Sequence, residues 1–211
     1  MTKNPTSEGS ASTSNDTIPS DATTAVQHPK VWIDPISLPT SGDVAGIAGN
    51  ASSLIKQLTL NTFAAYGVGD EESFGHVVGK AVKFTEITVD VDEGNTTKAK
   101  AMTVAEVVVD KKMANGANMM HGGCIAYLID NCCSTPLVAL GLSVKRNGVG
   151  VTQALNIIYH SPAAIGTCLR ITSTSMALGG RSMTSRCEIH EKATGRLVAS
   201  AFLNKMQPSK L

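Results

Sequence analysis

A chain of 211 residues fits one domain, or one domain with a tail. Apolar residues make up 42% and charged residues 17%, enough to bury a core, so the composition as a whole is not that of a disordered chain. The net charge of +1, with Lys and Arg scattered, argues against nucleic acid as the main partner, which would call for a basic face.

Residues 1–45 are rich in Ser, Thr, Asp, Asn and Pro, as in "TSEGSASTSNDTIPSDATT", and read as a disordered tail. The tail has no Arg and carries Glu8, Asp16 and Asp21, unlike an Arg-rich, acid-poor mitochondrial presequence, and it has no secretory apolar core. A folded domain is expected over 46–207. It begins with an amphipathic helix over about 51–66, where Leu54, Ile55, Leu58 and Phe63 fall near helical spacing. Six strands are expected at 80–89, 99–110, 149–159, 167–176, 182–190 and 197–206. They are rich in Val, Ile and Thr and bounded by turns such as "DEGN", "LGGR" and "ATGR". In the fifth, Met183, Cys187 and Ile189 alternate with Thr184, Arg186 and Glu188, which predicts one wet face.

Between the second and third strands lies one long apolar segment, 122–140, apolar nearly all round a helical wheel and therefore a buried helix. Pro136 within it predicts a kink or an end. No apolar run is expected to reach the roughly 20 residues that span a bilayer, so no membrane insertion is expected. The order is helix, two strands, central helix, four strands. That is an α+β layout of one helix wrapped by an antiparallel sheet. Five cysteines with no CxxC suggest reduced thiols in an intracellular chain rather than a disulfide framework or a zinc site. No metal and no cofactor are expected.

The central segment opens "MMHGGCIAYLID" and carries one acid, Asp130, in an apolar helix. A buried carboxylate resists ionising and suits a general base or nucleophile working near neutral pH. The plainer reading is a helix acid that reaches solvent or caps a loop. Gly122 and Gly123 open the helix, where backbone N–H groups lack helical partners and a ligand can approach closely. Such donors can stabilise an oxyanion; the plainer reading is a tight helix–strand contact. Gly122 and Asp130 lie roughly 12 Å apart along one helix, at 1.5 Å per residue. One reacting carbonyl cannot touch both in one chain. If they cooperate, two copies of the helix meet antiparallel across a two-fold axis, which predicts a closed homodimer.

"NGANMMHGGCIAYLIDN" followed by "GVTQALNIIYHSPAAIGT" resembles the hotdog-fold acyl-CoA thioesterases of the phenylacetate-degradation branch, over about residues 80–206. The resemblance implies a hotdog fold and hydrolysis of an acyl-CoA to free CoA and a carboxylic acid. It implies Asp130 as general base or nucleophile and the Gly122 N–H as the donor that polarises the thioester carbonyl. His121 and Asn115 would orient substrate and water. Thr152 stands where relatives often carry Ser, and its hydroxyl would still hold the water. Gly123 would contact substrate, and Arg181, in the "LGGRS" turn, would meet a CoA phosphate; the plainer reading of Arg181 is an ordinary charged hairpin turn. The resemblance also implies a homo-oligomer, a dimer or a dimer of dimers.

The mechanism needs an oxyanion donor and a base, without metal or triad, and no GxSxG elbow is present. A thiol nucleophile pairing Cys124 with His121 is disfavoured, because a thiol inside an apolar helix is usually inert. The alternatives are a hotdog enoyl-CoA hydratase or dehydratase and a non-catalytic acyl-CoA-binding protein. The chain ends Ser209-Lys210-Leu211, which matches the address read by the peroxisomal import receptor. Peroxisomal fatty-acid metabolism is therefore expected, with 208–211 as a targeting tail.

Overall fold

The computed structural model describes residues 33–91 and 98–207. The expected tail up to residue 32, the turn at 92–95 and the targeting tail at 208–211 lie outside the described residues. Residues 33–45 fold against the domain: Pro35–Ser37 form a 3-10 turn capped by Asp34, and the Ser41 N–H donates to Asn61 Oδ1 at 2.9 Å.

Helix α1 spans Ser53–Phe63, capped by the Ser52 hydroxyl, which accepts from the Ile55 N–H. Its end widens into a π-type turn over Ala64–Val68, which closes as Gly67 takes φ 103°, a conformation glycine adopts without a Cβ clash. This turn places Tyr66. A five-residue helix α2, His76–Lys80, follows and is too short for sequence periodicity to reveal.

The strands are β1 (Lys83–Asp90), β2 (Lys100–Val108), β3 (Val151–Tyr159), β4 (Cys168–Leu178), β5 (Ser182–Glu191) and β6 (Leu197–Met206). They form one sheet in the order β1-β2-β4-β5-β6-β3, and every adjacent pair is antiparallel. Inward residues of β4, β5 and β6 (Leu169, Ile171, Ile189 and Leu203) share one core with Leu128, Ile129 and Cys132 of helix α3 (Gly122–Ser143). Each such fully buried aliphatic side chain contributes about 1.5–3 kcal/mol. This is the hotdog arrangement.

For α3, one sequence expectation and one arm of a second need correction. By length and composition its 22 residues are apolar enough to cross a bilayer, contrary to the reading that no run approaches that length. Here the sheet replaces lipid, and 78% of the most apolar window is buried inside the protein. Pro136 does not end the helix, which runs on to Ser143. Proline removes the N–H that would bond the Cys132 carbonyl. The Thr135 hydroxyl donates to that carbonyl instead, at 2.7 Å, and itself pairs with the Thr103 hydroxyl of β2 at 2.8 Å.

Candidate active site

Asp130 is half-buried rather than sealed in the core, and it opens onto a cleft of ≈ 740 Å³. Thr152 at the start of β3 donates its hydroxyl to Asp130 Oδ1 at 2.6 Å. The two residues are 22 positions apart in sequence, and only the packing of β3 along α3 joins them. Tyr66, Phe74, Tyr127, Gly123, Ser134 and Lys205 line the same cleft. A second cavity of ≈ 650 Å³ between α1, α2 and β1 contains none of the sequence-predicted residues.

Sequence reasoning missed Lys205. It lies on the inward row of β6 after Ala199, Ala201 and Leu203 and is only 4% exposed. Its Nζ donates to Ser134 Oγ at 2.8 Å and lies 4.8 Å from the centroid of the Tyr66 ring. Burial pushes the ammonium below the usual lysine range, while the negative charge of Asp130 pulls it back up. Burial, then the charge of Asp130, holds the Tyr66 phenol above its usual range. The signal in the sequence was a lysine falling in step with an inward apolar row.

The helix start is organised locally. His121 is the N-cap, and its Nδ1 accepts from the Gly123 N–H at 2.9 Å. The N–H of Gly123 is thus occupied, although the residue itself lines the cleft. Among the described residues the Gly122 N–H meets no acceptor, as expected for a first-turn donor. The Tyr159 hydroxyl donates to the Gly122 carbonyl at 3.0 Å and fixes that peptide. A Cβ on Gly122 would meet the Tyr159 ring at an ordinary 3.5 Å, so packing does not demand glycine there.

Asn115 turns its side chain to its own loop, where Oδ1 accepts from the Ala117 N–H at 2.9 Å and the Met119 N–H at 3.2 Å. Asn115, His121 and Gly122 therefore gather at the mouth of α3, roughly 12 Å along the helix from Asp130. One chain does not bring the donor and the acid together. Arg181 lies in the β4–β5 hairpin with an exposed guanidinium, and it does not line the cleft. Cys124 is half-buried, and burial followed by the charge of Asp110 pushes its thiol up to about 11. Little thiolate exists at neutral pH, so the arrangement disfavours a cysteine nucleophile.

Comparison with known proteins agrees with this architecture. The model of the thioesterase superfamily matches residues 117–198. Human acyl-coenzyme A thioesterase 13 is 32% identical over 101 residues, which cover 48% of this chain and 69% of that protein. The mouse protein of the same name is 30% identical over 96 residues, covering 46% and 66% respectively. The crystal structure of zebrafish thioesterase superfamily member 2 superposes with a TM-score of 0.56 at 23% identity, over 73% of this chain and 98% of that one. The mouse member 2 structure gives 0.54 at 23% identity, over 74% and 98%. These two share the fold. From its helix-in-sheet architecture and its similarity to these sequences, the chain belongs to the thioesterase superfamily.

Proposed function

We propose that this protein is an acyl-CoA thioester hydrolase that releases free CoA and a carboxylic acid, with Asp130 as general base for water or as nucleophile. The observation that carries this reading is the Thr152–Asp130 hydrogen bond of 2.6 Å at a cleft wide enough for an acyl group. A thioester needs little activation. It needs an aimed carboxylate and a donor for the oxyanion. Thr152 restrains the carboxylate, and the Gly122 N–H is the donor left without an acceptor among the described residues.

The separation of that donor from Asp130 calls for a second copy. Two chains related by a two-fold axis, with their α3 helices antiparallel, bring the Gly122 N–H of one to the Asp130 of the other, twice per dimer. The edge strand β3, which carries Thr152, pairs with β6 on one side only among the described residues, consistent with a neighbour there. In this arrangement the thioester carbonyl lies against the Gly122 N–H, and Asp130 across the interface takes the proton of water or attacks directly. The negative charge passes to the oxyanion and then leaves with the CoA thiolate. His121 and Asn115 shape the mouth, and Arg181, exposed in the β4–β5 hairpin, is the candidate partner of a CoA phosphate. Delivery to the peroxisome through Ser209-Lys210-Leu211 completes the reading. Import of a tagged chain that persists after deletion of Leu211 would refute it.

The deciding experiment is thiol release from short, long and aromatic acyl-CoAs. Gly122→Pro removes the N–H at the first helical position, where proline is tolerated. It should lower kcat/KM by about 10²–10³-fold, the scale of a lost oxyanion donor. Gly122→Ala keeps the N–H and should keep activity. Co-refolding Gly122→Pro with Asp130→Asn should restore about a quarter of wild-type activity, because half the dimers then hold one intact site of two. No restoration would sink the shared site. No turnover by the wild type, with acyl-CoA binding intact, would leave a binding protein.

A further inference from the structure

Burying an ammonium is costly unless it is paired or hydrogen-bonded, yet Lys205 occupies an inward position whose neighbours along β6 are Ala201 and Leu203. A methionine there would fill the space without that cost. Three contacts explain the charge. Lys205 Nζ donates to Ser134 Oγ at 2.8 Å, and Ser134 Oγ donates to the backbone carbonyl of Asp130 at 2.6 Å. The ammonium also lies 4.8 Å from the Tyr66 ring centroid, within cation–π range. Strand register sets Lys205 opposite Thr152, whose hydroxyl holds the Asp130 carboxylate.

We propose that Lys205 is a positioning residue of the Asp130 site: its buried ammonium, held by Ser134 and the Tyr66 ring, is the counter-charge of Asp130 and fixes the α3 turn that aims that carboxylate. The inference rests on the hydrolase reading above and adds to it a residue from the last strand. Hydrolysis moves one negative charge from Asp130 to the oxyanion, and the ammonium keeps the cleft neutral throughout that transfer. Tethering through Ser134 restrains the backbone of Asp130, while Thr152 restrains its carboxylate.

The ionisable groups facing Lys205 are Asp130 and Cys133 from α3 and Tyr66 from the turn after α1. Its strand neighbours, Thr152 on β3 and Met183 on β5, do not ionise in this range. Because burial holds its pKa below the usual lysine range, the charge is present below that pKa and is lost as pH rises through it. The wild-type rate should therefore fall on the alkaline side before ordinary lysines titrate.

The test measures thiol release from about pH 6 to about pH 11, from above the ordinary carboxylate range to beyond the ordinary lysine value, for wild type, Lys205→Met, Lys205→Arg and Ser134→Ala. Lys205→Met should lower kcat about tenfold with KM little changed. Lys205→Arg should keep most of kcat and lose the alkaline fall, because arginine stays charged. Ser134→Ala should lower kcat with the lysine in place. In parallel, the Lys205 Cε resonance is titrated by NMR in wild type and in Asp130→Asn. Its midpoint should fall when the carboxylate is removed. Wild-type kcat in a folded Lys205→Met overturns the proposal. If that variant does not fold, a wild-type kcat and pH profile in Ser134→Ala overturns it. An unmoved Lys205 midpoint in Asp130→Asn overturns it whether or not the protein turns over acyl-CoA. A wild type without turnover but with a moved midpoint would defeat the hydrolase reading and leave the Lys205–Asp130 pairing standing.

Discussion

At its start, α3 draws its caps from its own approach loop, with the Tyr159 hydroxyl of β3 the one distant partner named there, whereas around Asp130 the partners come from β3, β6 and the turn after α1. His121 caps Gly123, and Asn115 ties its own turn. Among the described residues one backbone donor of the first turn, the Gly122 N–H, is left over. Around Asp130, Thr152 is 22 positions away and the Lys205–Ser134 bond joins residues 71 positions apart. The first region is a local capping motif and the second exists only in the folded sheet. A mouth built from adjacent residues can keep its geometry when the sheet is perturbed. A carboxylate aimed from distant strands depends on the whole domain. Apart from loss of the Gly122 N–H itself, which should lower the rate, substitutions at the two regions should therefore differ in whether rate or stability responds.

The largest effect is expected at the acid. Asp130→Asn should lower kcat by about 10³-fold, within the span of general-base losses, while thermal melting changes little. A folded variant with near wild-type thiol release would undo the role given to Asp130. Thr152→Val should come next, with kcat down about tenfold or more, as for loss of a hydrogen bond to a charged group. Thr152→Ser should hold the rate. If Val and Ser behave alike, the hydroxyl does not aim the carboxylate.

At the helix start the balance should reverse. His121→Ala removes the cap on Gly123 and should cost about 1 kcal/mol of stability, seen as a drop in Tm of about 2–4 °C. A Tm unchanged by His121→Ala would mean that the cap contributes nothing in solution. The smallest effect is expected at Cys124, whose thiol is held protonated at neutral pH. Cys124→Ser should leave kcat unchanged, and loss of turnover there would revive the thiol nucleophile.

Much of this was legible in the chain. Period-two alternation in 182–190 placed β5, and the apolar wheel of 122–140 placed α3, because burial imposes those periods directly. Asp130 and Gly122 stood out because an acid and a glycine pair are unusual in an apolar helix. Of the kink or end expected at Pro136, the end does not occur, since rescue of the Cys132 carbonyl by Thr135 is a side-chain contact that helix periodicity does not show. Helix α2 was too short to show a period. Lys205 went unnoticed because a strand lysine is read as solvent-facing until the register is known.

The sequence by itself therefore determined the strands, the buried helix, its polar opening and the acid within it, because each is written in a local period or a local contrast of residue types. Only the tertiary structure decided what surrounds the acid. Setting Thr152 against Asp130, and Lys205 against Ser134 and Tyr66, required the sheet order β6-β3 and the curl of the sheet around α3. Contacts between elements far apart in the chain are fixed by strand register and core packing, which no single segment encodes alone.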